Sequence, residues 1–458
     1  MGTYDDFLAR KAQMGSAAGF EPLWMPDFLF PPQVYLTDWA IRQGRGAHFV
    51  DCGGGKTPMS LVWGQNVYKR TGKPVLLLTR LGVTGQMEIE GAKFGIDAEI
   101  SRNGKIPASI TVTNYERLEH FDRDKFGGVI CDESSALKSY DSVRKAMVNE
   151  FMRTVPYRLL ATATPSPNDH TELGTSSEAL GYLGHMDMLG RFFTNKEKTS
   201  KTMGGKWRPR AGEEWRFKGH AEDLFWRWVS SWARAMRKPS DLGFEDGAFV
   251  LPPLETRRNI VEARTAKEGT LFDVAAVGLH EEREEARRTI TERCEKAADL
   301  LADASPGIAW CHLNDEGDLL AKLIPGAVQV AGSDPVEAKE ERLAAFGRGE
   351  IRVLVTKPRI ASWGLNYQNC HRMTYFVDHS FEAYYQAVRR CWRFGQEHPV
   401  TVDVVTTTGG ERVLASLETK AVKADRMFSS LTAHMNNALA VDRSVTYATD
   451  TEVPSWVR

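Results

Sequence analysis

Arg390 and Arg393 lie in the run Gln386-Ala387-Val388-Arg389-Arg390-Cys391-Trp392-Arg393-Phe394-Gly395-Gln396, far downstream of the glycine-rich run Gly53-Gly54-Gly55-Lys56-Thr57. Phosphoryl transfer uses these residue types. Glycines let backbone N–H groups close around phosphate oxygens, a lysine ending such a loop reaches the β- and γ-phosphates, and the next hydroxyl holds Mg²⁺. Gly53, Gly54, Gly55, Lys56 and Thr57 are therefore expected to bind ATP, with Thr57 on the Mg²⁺ ion. Guanidinium groups meet the charge that builds on a γ-phosphate, the role expected of Arg390 and Arg393. A loop and fingers so distant in sequence put the nucleotide between two lobes. Hydrolysis then opens and closes a cleft, which suits a motor better than a simple kinase.

Gly128-Val129-Ile130-Cys131-Asp132-Glu133 sets two carboxylates at the end of an apolar run. Asp132 is suited to hold Mg²⁺ through water, and Glu133 to orient or deprotonate the attacking water. Leu160-Ala161-Thr162-Ala163-Thr164-Pro165 ends a further apolar run in small hydroxyl residues that can sense the γ-phosphate through the carboxylate turn. Alone, the loop is also a plausible glycine-rich turn and the carboxylates a solvated acidic one. Their joint occurrence in this order favours one composite site. The loop is irregular, since Val50 stands where the full GxxxxGK[ST] pattern has its first glycine. Pro58 is tolerable in the first turn of a helix, where its missing donor is not needed.

These residues need strand ends to hold them. His48–Val50, Val75–Leu78, Ile110–Val112, Val129–Cys131 and Arg158–Ala161 read as buried parallel strands, alternating with amphipathic segments such as Met59–Lys69. A second series follows: Ile308–Cys311, Val328–Val330, Ile351–Val355, Met373–Val377 and Val400–Val405, led by one long charged helix around His280–Asp303. The fold expected is α/β, two doubly wound parallel-sheet lobes with a helical insertion between them. The boundaries fall at 1–195, 196–255 and 256–458. The middle segment mixes Lys201, Lys206, Arg208 and Arg210 with Trp207, Trp215, Trp226, Trp228 and Trp232. Its tryptophans are expected in a core, and its basic loop near 198–210 against DNA phosphates.

At 458 residues, with 42% hydrophobic and 26% charged residues, the composition is that of a soluble globular protein. No run of about 18 apolar residues exists to span a membrane. The start carries Asp5, Asp6 and Glu21 and lacks a signal-peptide pattern, so a cytoplasmic protein, bacterial or viral, is expected. The 6 cysteines include no CxxC pair, which argues against a zinc ribbon or a disulfide framework. A net charge of −1 does not advertise nucleic-acid binding, yet a basic groove can be offset by acidic outer faces. His312, His371 and His379 read as structural.

The ordered set of motifs resembles the superfamily-two helicase-type ATPases, specifically the Swi/Snf-like branch of double-stranded DNA translocases. The resemblance runs from about Pro32 to about Lys423. It implies RecA-like lobes and a glutamine, Gln33, that reads adenine. Thr79 and Arg80, then Thr113, Asn114 and Tyr115, match segments that contact DNA, as does Thr356. Gly364-Leu365-Asn366 and Gln386 fall in the nucleotide-side motifs of the second lobe. Asp132-Glu133 and Thr162-Ala163-Thr164-Pro165 with Asn168 fill the remaining motifs of the first lobe. Gln386, Arg390, Arg393, Gly395 and Gln396 fit the branch's QxxxRxxRxGQ form. The helix around Glu411–Lys423 matches its closing brace.

Two departures matter. Ser134 and Ser135 stand where the family reads Ala-His, replacing a histidine that links nucleotide state to the other lobe. Arg80 stands where proline is common, which adds a possible phosphate contact. The resemblance implies a DNA-dependent ATPase that translocates on or remodels duplex DNA, with forks or other branched DNA as further partners. Two other readings stay open: a strand-separating DNA or RNA helicase, and an ATP-gated DNA-binding scaffold with weak turnover.

Overall fold

The computed structural model describes residues 17–80, 83–138, 143–195, 215–264, 279–361 and 366–447. Two parallel sheets organise them. The first has the order β3-β4-β2-β5-β6-β1-β9, with β1 Arg45–Val50, β2 Val75–Thr79, β3 Ala98–Ile100, β4 Ile110–Asn114, β5 Gly128–Asp132, β6 Tyr157–Thr162 and β9 Ala233–Met236. A short antiparallel hairpin, β7 Phe193–Asn195 with β8 Trp215–Phe217, stands beside it. The second sheet runs β10-β15-β14-β11-β13-β12, with β10 Leu254–Val261, β11 Gly307–Trp310, β12 Ala327–Val330, β13 Val353–Thr356, β14 Arg372–Phe376 and β15 Val400–Thr407. Among the described residues no helix is long and apolar enough to cross a membrane.

The central strands coincide with the apolar runs of the sequence, because a parallel strand covered on both faces must be apolar on both. The strands that the sequence hides are all at edges. β3 is a three-residue Ala-Glu-Ile edge, β9 is Ala-Arg-Ala-Met, and β10 is a largely exposed charged strand paired with β15 from Leu254↔Val400 to Val261↔Thr407. The single charged helix expected at His280–Asp303 is instead two, Leu279–Arg288 and Ile290–Leu300, broken where Thr289 leaves helical geometry.

Five helices position the site: α1 Pro31–Gln43, α2 Lys56–Thr71, α3 Ala221–Ser230, α4 Phe381–Val388 and α5 Glu411–Tyr447. Trp226 and Trp228 of α3 and the following Trp232 are fully buried among Phe49, Phe192 and Phe225, so the tryptophans serve the core of the first lobe. β9 then completes the first sheet beside β1. The basic loop 198–210 lies outside the described residues. α5, at 37 residues about 55 Å long, leaves the second lobe, where Leu414 joins the core. Its Met427, Phe428, Leu431 and Met435 then enter the core of the first lobe. Arg426–Glu222 and His434–Asp223 pairs fix it on α3.

β1 carries a buried histidine beneath α1. His48 Nε2 meets the Leu36 carbonyl at 3.0 Å, and burial, with Arg234 nearby, pulls the imidazole down from 6.5 to about 4 despite that carbonyl. The neutral ring is thus favoured in the folded state. As pH falls the unfolded chain takes up its proton first, so stability present above about 6.5 is lost on the way to about 4, on the order of 3 kcal/mol. Denaturant titrations between pH 7 and 4 should show this extra loss in the parent and not in His48→Gln. Parallel acid limbs for the two proteins would refute it.

Candidate active site

All strands of the first sheet point the same way, so the turns after β1, β2, β4, β5 and β6 gather at one edge. The turn after β1 is the glycine-rich loop. Gly53 and Gly55 adopt φ of 86° and 88°, a region that a side chain resists, and Gly55 leads directly into α2. The space is closed as well as the conformation: a Cβ on Gly55 would lie 2.1 Å from Gln33 Nε2, and one on Gly53 only 3.0 Å from the Phe394 backbone nitrogen. The loop is therefore a bare-backbone cradle at a helix N-terminus, the geometry that suits phosphate oxygens. Lys56 Nζ bends back onto the Val50 carbonyl at 2.9 Å and the Asp51 carbonyl at 3.4 Å. Thr57 is half-buried at the second position of α2. Gln33 Nε2 donates to the Gly54 carbonyl at 3.1 Å while its Oε1 accepts from Phe30 N–H, so this glutamine supports the loop.

The carboxylates stand at the end of β5. Thr79 Oγ1 donates to Asp132 Oδ2 at 2.8 Å, and Thr162 Oγ1 lies 3.4 Å from Glu133 Oε2. Burial, with Glu133 beside it, pushes Asp132 up to about 7, against the pull of Thr79 and Lys56. Two carboxylates side by side in little water repel, and a divalent cation would relieve both. Glu133 itself sits at φ 50°, uncommon for a residue with a side chain and the kind of strain that collects at functional turns.

The second lobe presents one face of α4 to this edge. Ser380 caps the helix, its Oγ accepting from Ala383 N–H at 3.1 Å. Glu382, Tyr385, Gln386 and Arg389 then follow at i, i+3, i+4 and i+7, one stripe of a helix. Each reaches the first lobe. Tyr385 Oη donates to Asp51 Oδ1, and the Arg389 guanidinium pairs with Asp51 Oδ2. Cys52 Sγ meets Gln386 Oε1 at 3.6 Å. Glu382 accepts from Ser135 Oγ at 2.8 Å and Arg80 Nη2 at 2.9 Å, and pairs with Lys138. Burial and Arg393 draw Arg389 down to about 9, so it remains charged at neutral pH, stacked 4.3 Å from the Trp392 ring centroid. Arg390 is buried and bonded through Nη2 to Gln386 Oε1 at 2.9 Å. Arg393 is half-buried, drawn down to about 10 by burial and by Arg390, and its Nε is buried without a hydrogen-bond partner.

The structure thus brings Gln33, Gly53, Gly54, Gly55, Lys56, Asp132, Glu133, Gln386, Arg390 and Arg393 around one interface. Gly364 lies outside the described residues. The residues expected on nucleic acid are placed differently. Thr79, Thr113, Asn114, Tyr115 and Thr356 are buried. Thr79 serves Asp132, Tyr115 Oη donates to the Asp132 carbonyl at 2.7 Å, and Thr356 Oγ1 donates to the Val330 carbonyl at 2.9 Å. These three hydroxyls are spent on the lobe interiors, Thr113 Oγ1 and Asn114 Oδ1 are buried without a hydrogen-bond partner, and of this set only Arg80 shows its side chain to solvent. Asp51, Glu382, Tyr385 and Arg389 went unnoticed in the sequence. The one signal for them was the helical spacing of polar residues upstream of Arg390. Phe30, Phe249 and Phe394 were missed too, an aromatic cluster with centroids 5.0–6.2 Å apart at the mouth of the loop.

Fold and site together define a two-lobed α/β protein with a phosphate-type loop and paired carboxylates on one lobe and an arginine-bearing helix on the other. A similar solved structure is the Sulfolobus solfataricus SWI2/SNF2 ATPase core in complex with dsDNA. The likeness covers 90% of this chain and 96% of that one, with 16% identity and a TM-score of 0.43. No protein-family model matches the sequence, and no curated protein matches it.

The Asp51–Arg389 contact is buried on both sides, with side-chain exposures of 5% and 7%. Removing one partner strands the other charge, which costs about 3–5 kcal/mol, whereas removing both costs far less. In chemical denaturation Arg389→Met should lose on the order of 3 kcal/mol, and Asp51→Asn/Arg389→Met should recover most of it. A double variant no more stable than Arg389→Met would dismiss the pairing.

Proposed function

We propose that this chain is a Swi/Snf-like DNA-dependent ATPase that turns ATP hydrolysis into movement along, or remodelling of, duplex DNA. The observation that carries the reading is the approach of Phe394 to Gly53, which sets the Arg390–Arg393 segment of one lobe against the glycine loop of the other. The donor set suits Mg·ATP: a glycine cradle, a lysine resting on backbone carbonyls, a hydroxyl on α2, and a carboxylate pair that repel each other.

Bound Mg·ATP supplies the transferable phosphoryl group and a metal that spreads its charge. Lys56 exchanges the Val50 and Asp51 carbonyls for phosphate oxygens. Thr57 and Asp132 would hold the metal, and Thr79 keeps the Asp132 carboxylate oriented. Glu133, fixed by its left-handed turn and by Thr162, orients the attacking water. Gln33 recognises the base, helped by the Phe30–Phe249–Phe394 cluster. Arg390, once released by Gln386, would join Arg393 in meeting the charge on the transferred phosphoryl group, which would draw α4 closer and close the cleft. α5 spans both lobes and limits the movement to a hinge-like one. The Ser135–Glu382 bond supports coupling between the lobes despite the missing histidine, and so favours a motor over a weakly hydrolysing scaffold.

Contacts to phosphate rather than to base edges imply little sequence preference and binding that weakens steeply with salt. Phosphate release by the purified protein should rise with duplex DNA more than with single strands or RNA. Lys56→Ala should abolish it, and Arg393→Ala should lower turnover by roughly 10³-fold with the fold intact. Turnover indifferent to every nucleic acid, or equal in the parent and Lys56→Ala, would overturn the reading.

A further inference from the structure

Glu382 is held by three groups of the first lobe: a guanidinium, a hydroxyl and an ammonium. Its side chain is 7% exposed, yet Arg80 and Lys138 keep 29% and 33% of theirs in contact with solvent. The carboxylate is covered while the cations around it stay reachable. Burial alone would raise Glu382, but Lys138 and Arg80 outweigh it and hold the carboxyl below its ordinary value. The first-lobe groups carry two positive charges against its single negative one. Lys420 of α5 lies close enough to Lys138 and Lys423 to feel their charge, with Glu172 and Asp378 as the nearby carboxylates.

Guanidinium, hydroxyl and ammonium converging on two oxygens that share one negative charge describe a site for a phosphodiester as well as for a carboxylate. We infer that Arg80, Ser135 and Lys138 form one anion-binding site that a backbone phosphate of duplex DNA takes over from Glu382, freeing the start of α4. This rests on the reading of the chain as a DNA-dependent ATPase and adds to it the means by which DNA is sensed. Glu382 is a positioning residue. It sits in the first turn of the helix whose far end leads to Arg390 and Arg393, so while the first lobe holds it the fingers stay in their present seats. The exchange conserves charge, one negative group leaving as another arrives. Ser135 thereby connects the carboxylate turn of the nucleotide site to the DNA surface, where a longer imidazole would leave less room.

Two variants of the full chain test this, with duplex binding followed across a salt series and phosphate release measured with and without duplex. Glu382→Gln should turn over without DNA about tenfold faster than the parent and bind duplex more tightly, so that its stimulation by DNA shrinks. Lys138→Gln, at the solvent-exposed rim, should reduce the slope of log affinity against log salt by about one. A Glu382→Gln protein with the parent's DNA-free rate and DNA affinity, or with a lower rate, would make Glu382 a structural strut and overturn the inference. An unchanged salt slope in Lys138→Gln would do the same, and so would inorganic phosphate at matched ionic strength replacing duplex as activator. A parent that neither binds duplex nor responds to it would instead remove the underlying reading, whatever the variants do.

Discussion

The structure depends on one polar helix face meeting one sheet edge. α4 carries Glu382, Tyr385, Gln386 and Arg389 in a single stripe, and every one of them ends on the first lobe. Charges buried between lobes persist only when paired, since an orphaned one costs several kcal/mol. Asp51 and Glu382 are each satisfied by groups from the opposite lobe, and these pairs fix the seating seen here. That seating sets Phe394 beside Gly53 and leaves Arg390 tied to Gln386. The remainder of the fold serves it: β1 and β5 aim the loop and the carboxylates at the edge, Ser380 fixes where α4 begins, and α5 holds both lobes by their cores.

The same contacts tie the charged groups of the proposed site to partners within the protein. Lys56 rests on its own loop, Arg390 on its own helix, and Asp132 shares a poorly hydrated corner with Glu133. Lys56 is held by the carbonyls of Val50 and Asp51, and burial with Glu133 raises the Asp132 carboxyl.

Central strands and the glycine-rich loop were legible because their constraints are local. A strand covered on both faces must be apolar throughout, and a backbone cradle must be glycine, so Val75–Leu78 and Gly53–Gly55 announce themselves. The edge strands did not, since Leu254–Val261 is charged and gains its identity from pairing with β15 rather than from its own sequence. Residues picked out by resemblance as DNA contacts, Thr113 and Tyr115 among them, proved to face inward, because motif position specifies a strand end and not which way a side chain turns. The pairs that join the lobes were least legible of all. Asp51 and Arg389 are separated by most of the chain, and no pattern short of the folded structure says that they meet. Ser135 was read as the replacement of a histidine that links the lobes, and no pattern in the sequence named Glu382 as the group it meets.

The central claim is that the nucleotide site is shared, so that occupancy of the loop on one lobe is felt by α4 on the other. Hydrogen–deuterium exchange of the full chain, with and without a slowly hydrolysed Mg·ATP analogue, measures this directly. The account predicts that amides in 50–57 and in 381–396 change protection together. A change confined to 50–57, with 381–396 exchanging as in the free protein, would contradict it.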